Sequence, residues 1–305
     1  MANKVRLACS LNILLFMAIT YCFFFLQKLF RSPGLEHHYF TSTNAILKST
    51  SCLKQKSSLF GIFTIASKVD LRNIIRRATQ CNFNTETHTT IFVLGMPSTN
   101  EERHALLDES LTHQDILVLP CEENMNEDKT FHFFKAVFTH FPCYDFYVKT
   151  DDDTAFNPTR IVQFITQHKN NDSLYIGRKM NNTNKDIFSF VFKSVLFKFR
   201  DMQWLYGFDS FFAGMLYILN RRSVELWMQL NSTQHYGDED MVTSYYMTKI
   251  NATYQDVDTR FHDNVNYSNF FLFNHWKSPI TESSMAVHKC KSLSDLTNAL
   301  NQLCV

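Results

Sequence analysis

Tyr144-Asp-Phe-Tyr-Val-Lys149-Thr-Asp151-Asp152-Asp153 is the stretch that decides the fold. Tyr144–Lys149 is an aromatic and β-branched run of strand length, and three carboxylates follow it directly. A strand that ends this way carries its carboxylates at its carboxyl end, the edge where open α/β sheets bind ligands. Three successive negative charges repel one another, and a divalent cation relieves that repulsion through hard oxygen ligands. Alternate residues of an extended chain face the same way, so Asp151 and Asp153 can address one ion. Taken alone, the triplet is equally consistent with a solvated acidic turn, and the surrounding pattern has to decide.

That pattern is an alternation of strands and helices. Upstream, Leu59–Ala66, Thr89–Leu94 and Ile116–Leu119 predict strands, while Asp70–Thr79, Asn100–Ser110 and Thr130–Phe141 predict helices. Asn100 is a candidate cap, with Glu101 and Glu102 in the first turn. Downstream, Asn157 is expected to cap a helix opening with Pro158, where a missing N–H costs nothing. Phe212–Leu219 predicts a strand and Arg222–Leu230 a helix, and Asp238 is a candidate cap for a helix reaching about Ile250. Such alternation implies an α/β domain with a largely parallel sheet and helices on both faces.

Composition bounds the function. The chain has 305 residues, 45% of them hydrophobic, enough to bury a core without metals or staples. A formal net charge of +1 gives no reason to expect a nucleic-acid partner. Only 7 glycines are present, and no glycine-rich phosphate loop occurs. A nucleotide would therefore need another device for its phosphates, and an ion on Asp151 and Asp153 supplies one.

The N-terminus bears on the compartment. No charged side chain lies between Arg6 and Lys28, and a helix of that length spans about 30 Å at roughly 1.5 Å per residue. We read residues 1–6 as a cytosolic tail, 7–27 as a transmembrane signal-anchor, 28–57 as a stem and 58–305 as a luminal body. Charge orients the anchor poorly, since Lys4 and Arg6 precede it and Lys28 and Arg31 follow. The orientation rests on the Asn-x-Ser/Thr sequons at Asn171, Asn181, Asn231, Asn251 and Asn266, all beyond the anchor. Cys52, Cys81, Cys121, Cys143, Cys290 and Cys304 also lie beyond it, either as disulfides or as buried thiols.

Further pieces carry a resemblance. Asp115-Ile-Leu-Val-Leu-Pro-Cys121, Asn126-Glu-Asp-Lys129-Thr130 and Tyr147-Val-Lys149-Thr-Asp151-Asp152-Asp153 together resemble the β1,3-galactosyltransferase family, glycosyltransferase family 31, in its plant-type hexosyltransferase branch. In the family's order follow Arg72-Asn-Ile-Ile-Arg76-Arg77 after the first strand, Phe212-Ala-Gly214-Met-Leu216-Tyr217, Gly237-Asp238-Glu239-Asp240-Met241, and Met285-Ala-Val-His288-Lys289. Three positions depart from the family's pattern: Gln80 near an aromatic residue, Leu216 for a second glycine, and Thr243 where a glycine often follows the Glu-Asp motif.

The resemblance implies a GT-A-like nucleotide-sugar-binding fold and an inverting reaction. It makes Asp240 the catalytic base, and Asp151, Asp153 and His288 ligands of Mn2+. Asp151 and Asp152, with Arg72 and Arg76, would face a UDP-sugar donor. By residue type alone, Arg72 and Arg76 are equally suited to acidic neighbours on one helix face. Asp240 equally suits a helix N-terminus, and a lone histidine is more often structural. Trp204, Tyr206, Phe208, Phe211 and Phe212 suit a sugar platform or the core. The expectation is a Golgi or endoplasmic-reticulum type II membrane enzyme. It would move galactose or N-acetylglucosamine from a UDP-hexose to a glycan or glycoprotein hydroxyl in β1,3 linkage. The alternative is a non-catalytic luminal glycan-binding or partner subunit on the same fold.

Overall fold

The computed structural model describes residues 56–80, 88–126, 128–168, 172–181, 210–230, 238–257, 260–264 and 279–303. The expected tail, anchor and nearly all of the stem lie outside these residues. So do Trp204, Tyr206, Phe208, the sequons at Asn171, Asn231 and Asn266, and Cys52, Cys81 and Cys304. Among the described residues, no helix is long and apolar enough to cross a membrane.

Four strands form the parallel heart of the fold: β1 (Lys56–Phe63), β2 (His88–Met96), β3 (Ile116–Glu122) and β4 (Tyr144–Asp151). Helices connect them: α1 (Val69–Gln80), α2 (Asn100–His113) and α3 (Lys129–His140). Next come β5 (Ala155–Phe156), α4 (Pro158–Thr166), β6 (Leu174–Asn181), β7 (Ser210–Asn220), α5 (Arg221–Gln229) and α6 (Glu239–Lys249). The chain closes with β8 (Thr253–Asp256), β9 (Phe261–Asp263), β10 (Ala286–His288) and α7 (Leu293–Leu303).

The main sheet runs β3-β2-β1-β4-β7-β6-β8. The chain winds outward from β1 to β3 and then returns to lay β4 on the other side of β1. This reversal of strand order opens a crevice between the carboxyl ends of β1 and β4. Phe63 and Asp151 pair there, and the Asp152 N–H donates to the Phe63 carbonyl at 3.1 Å. The expected parallel sheet is therefore present over its first four strands, while β7 runs antiparallel to both β4 and β6. A second sheet, β5-β10-β9, carries the C-terminal histidine.

Both faces of the parallel strands are buried, as their apolar runs require. Leu59, Phe63, Ile91, Val93, Leu117 and Tyr147 face a core closed by Phe133, Phe134 and Val137 of α3, with Trp227 of α5 and Tyr246 of α6. Gly61 is needed on that face, because a Cβ there would sit 2.4 Å from the Phe133 ring. On the opposite face Phe60 stacks on Phe156, with ring centroids 5.4 Å apart. Phe212 is also core, packed edge-on against Tyr175 and not free as a sugar platform.

Local signals place the ends. Pro158 opens α4, and Asn157 caps it by accepting from the Arg160 N–H at 3.0 Å. Asn100 is not the cap of α2. Thr99 is: its Oγ1 accepts from the Glu102 N–H at 3.1 Å, and the Glu102 carboxylate accepts from the Thr99 N–H at 3.4 Å. This reciprocal pair satisfies two donors that a lone Asn100 would leave unmet. Asp238 occupies the cap position of α6 but makes no side-chain cap bond. Cys143 is disulfide-bonded, whereas Cys121 and Cys290 are free thiols.

Candidate active site

At the β1/β4 crevice, Asp151 is the last residue of β4, and Asp152 and Asp153 enter the turn beyond it. The three carboxylates separate. Asp152 is buried and turns to Lys68, whose Nζ donates to its Oδ1 at 2.8 Å. Asp151 and Asp153 come together on the other side, brought there not by strand alternation but by the turn that the Thr154 N–H closes on the Asp151 carbonyl at 3.1 Å. His288 arrives from β10, because the Cys290 N–H donates to the Asp153 carbonyl at 2.9 Å and ties the second sheet to the turn. One donor atom each from Asp151, Asp153 and His288 lies within 4.8 Å of the others.

The local charge is unbalanced. Burial, with the Glu239 and Asp153 charges, pushes the Asp151 carboxyl above its usual range against the pull of Lys149. His288 Nε2 stands 3.4 Å from Asp153 Oδ1, and the Lys291 ammonium lies on Asp153 Oδ2. A lysine thus partly neutralises Asp153 from a half-exposed position. Two carboxylate oxygens and an imidazole nitrogen also form a donor set suited to a divalent ion of the Mn2+ kind.

Beside this cluster lies a buried polar junction. The Lys149 side chain is fully buried. Its Nζ reaches Asp151 Oδ1 at 2.8 Å, Glu239 Oε1 at 2.6 Å and the Gly214 carbonyl at 2.5 Å. Glu239 Oε2 accepts from Thr130 Oγ1 at 3.0 Å and from the Tyr217 hydroxyl at 2.8 Å. Burial disfavours the ammonium, but Asp151 and Glu239 outweigh it and hold Lys149 protonated. Gly214 allows this close approach: a Cβ there would lie 2.5 Å from Glu239 Oε1.

Asp240 follows Glu239 in the first turn of α6, half-buried, and its Oδ1 accepts from the Met241 N–H at 2.8 Å. Burial, then the charges of Glu239 and Asp238, raises its carboxyl to about 7, with Lys149 opposing. A carboxyl poised there exchanges a proton near neutral pH, which is what a general base requires.

Arg72 and Arg76 do share one face of α1, and that face meets acid. Arg72 is fully buried: Nε and Nη2 grip Glu109 at 2.8 and 2.7 Å, while Nη1 and Nη2 donate to the carbonyls of Ile65 and Ala66. Arg76 is bidentate on Asp115 at 2.8 Å through both bonds and also pairs with Glu109. The rigid forks join α1 to α2 and to the start of β3, and are used there instead of being held out to a phosphate. Lys149 and Glu239 both stand within family-like motifs, but nothing local in the chain announces the buried pair they form. Asp263 and Lys291 carried no local signal at all.

A family model described as Galactosyltransferase matches residues 70–258. "Beta-1,3-galactosyltransferase pvg3" of Schizosaccharomyces pombe is 23% identical, over 79% of this chain and 73% of that protein. "Probable beta-1,3-galactosyltransferase 13" of Arabidopsis thaliana is 25% identical, over 55% of this chain and 49% of its own length. The chain spans about half of that plant relative. Among solved structures, the WbbM bifunctional glycosyltransferase in its apo form aligns with a TM-score of 0.44 at 12% identity. That alignment covers 77% of this chain and 46% of the other.

Proposed function

Because the chain belongs to the galactosyltransferase family, whose model matches more than half of it, we propose that it transfers a hexose from a UDP-sugar to a glycan or glycoprotein hydroxyl. The fold is read as GT-A-like and the reaction as inverting, with galactose or N-acetylglucosamine passed in β1,3 linkage. The observation that carries the reading is the meeting of Asp151, Asp153 and His288 at the β1/β4 crevice, three residues drawn from the end of β4, the turn after it and the second sheet.

In one displacement the acceptor oxygen bonds to the sugar's anomeric carbon while the bond from that carbon to the diphosphate oxygen breaks. UDP leaves with the electron pair, and the acceptor proton passes to a carboxylate. Asp240 takes that proton, its carboxyl being raised to about 7. Asp151, Asp153 and His288 would hold Mn2+, which when bound neutralises charge on the leaving diphosphate. Lys149 and Glu239 fix the spacing between the carboxylate pair and Asp240. Lys68 holds Asp152 aside, so that two of the three carboxylates address the ion.

The compartment proposed is the Golgi or endoplasmic-reticulum lumen, behind a single N-terminal anchor. Asn251 is exposed, as an asparagine open to glycosylation must be. Glycosidase-induced mobility shifts of the expressed protein test this, and digestion of the body by protease added to intact microsomes would sink it. The activity is tested by incubating the full-length protein with a UDP-hexose panel and a broad acceptor panel, with and without Mn2+. Transfer only with Mn2+ is expected. No turnover with any donor would favour a glycan-binding subunit instead.

A further inference from the structure

We propose that Asp263 is a positioning residue for His288: its carboxylate holds the Nδ1 edge of the imidazole so that Nε2 is presented to a divalent cation shared with Asp151 and Asp153. The proposal rests on reading those three residues as a cation site. β9 and β10 run parallel, with Asp263 and His288 in direct register. Register partners project from the same face of a sheet, so the strand pairing itself sets the carboxylate beside the ring. Asp263 Oδ1 lies 3.3 Å from His288 Nδ1, while His288 Nε2 points the opposite way, 3.4 Å from Asp153 Oδ1.

The carboxylate is itself held. Asp263 is only 3% exposed, and its Oδ2 accepts from Lys289 Nζ at 2.6 Å. The Asn264 N–H donates to the His288 carbonyl at 2.8 Å, which extends the strand pairing past the two side chains. An imidazole whose Nδ1 faces a buried carboxylate carries its proton there and leaves the Nε2 lone pair free for a metal. Without Asp263 the ring can flip or exchange tautomers, and Nε2 loses its aim. The competing role is purely structural, with Asp263 serving only to anchor Lys289, which adopts a left-handed backbone at φ 62°.

The test measures binding of Mn2+ alone to the full-length protein, by the paramagnetic resonance signal of the free ion. Asp263→Asn should weaken binding about 10- to 100-fold, the usual effect of losing such a partner. The same substitution in a His288→Ala background should cost less than about twofold, because a residue acting through His288 has nothing left to act on. Unchanged affinity in Asp263→Asn, or an equal loss in both backgrounds, would overturn the proposal. A parent protein that binds no Mn2+ would overturn the cation-site reading with it, whereas a parent that binds and a variant that binds equally would sink the proposal alone. Nitrogen NMR of the histidines in the unsubstituted, metal-free protein at mildly alkaline pH gives a measurement free of any folding defect. The resonance missing from His288→Ala should report a protonated Nδ1 and a bare Nε2, and the reverse tautomer would overturn the assignment.

Discussion

Lys149 Nζ lies 2.6 Å from Glu239 Oε1 inside the protein, joining the end of β4 to the start of α6. The same ammonium reaches Asp151, so one buried cation serves both the carboxylate cluster and the turn that carries Asp240. Lys149→Met keeps the length of the side chain and removes the charge, leaving Glu239 and Asp151 without their buried cation. Breaking a buried pair in this way typically costs about 3–5 kcal/mol. Denaturant titration should show that loss. A change below about 1 kcal/mol, the range of an exposed pair, would mean that the junction is solvated.

Asp240 should impose opposite pH trends on activity and stability. Its carboxyl is raised from 3.8 to about 7 in the folded protein. If it is the base, kcat/KM should rise with pH through about 7. Stability moves the other way: between those two values the folded state holds a proton that the unfolded state has lost. The contribution is full below the unfolded value and disappears as pH climbs through the folded one. Asp240→Asn should flatten the falling stability curve and lower turnover about 10²- to 10⁴-fold, with donor affinity retained. Asp238→Asn shares the helix terminus, so equal small losses in both variants would reduce Asp240 to a helix-terminal charge.

Asp153→Ala is expected to abolish Mn2+-dependent binding of UDP. The side chain faces His288 and the Lys291 ammonium and is not part of the core, so the melting temperature should change little. Calorimetry of UDP with and without Mn2+ reads the effect directly. Retained Mn2+-dependent heat would move the site elsewhere.

Arg72→Met should act on folding and not on the donor. Its guanidinium is spent on Glu109 and on two carbonyls, all lost together. A drop of about 3–5 kcal/mol is expected, because Glu109 keeps only Arg76 and the Ile65 and Ala66 carbonyls lose their donor, with UDP affinity of the folded fraction unchanged. Weaker UDP binding at intact stability would return Arg72 to the nucleotide site.

Much of the fold was legible in the chain, because parallel strands buried on both faces must be apolar runs and their connecting helices must be amphipathic. Tyr144–Lys149 announced β4, and Asn157-Pro158 announced α4, since a capping side chain and a ring without an N–H act within one turn. The acidic triplet after a strand marked the crevice for the same local reason. What Arg72 and Arg76 touch was not legible. Their spacing fixed a shared helix face, but whether acid or phosphate meets that face depends on Glu109 and Asp115, more than thirty residues on. Alternation singled out Asp151 and Asp153 from the triplet, but that Lys68 would engage Asp152 across the β1/β4 seam was not legible. Asp263 and His288 are separated by a long stretch of chain and become neighbours only through the register of β9 on β10. Sequence determines what a residue can do and which way it faces along its own element. Which charge stands opposite is set by strand order and register, and only the assembled sheets decide those.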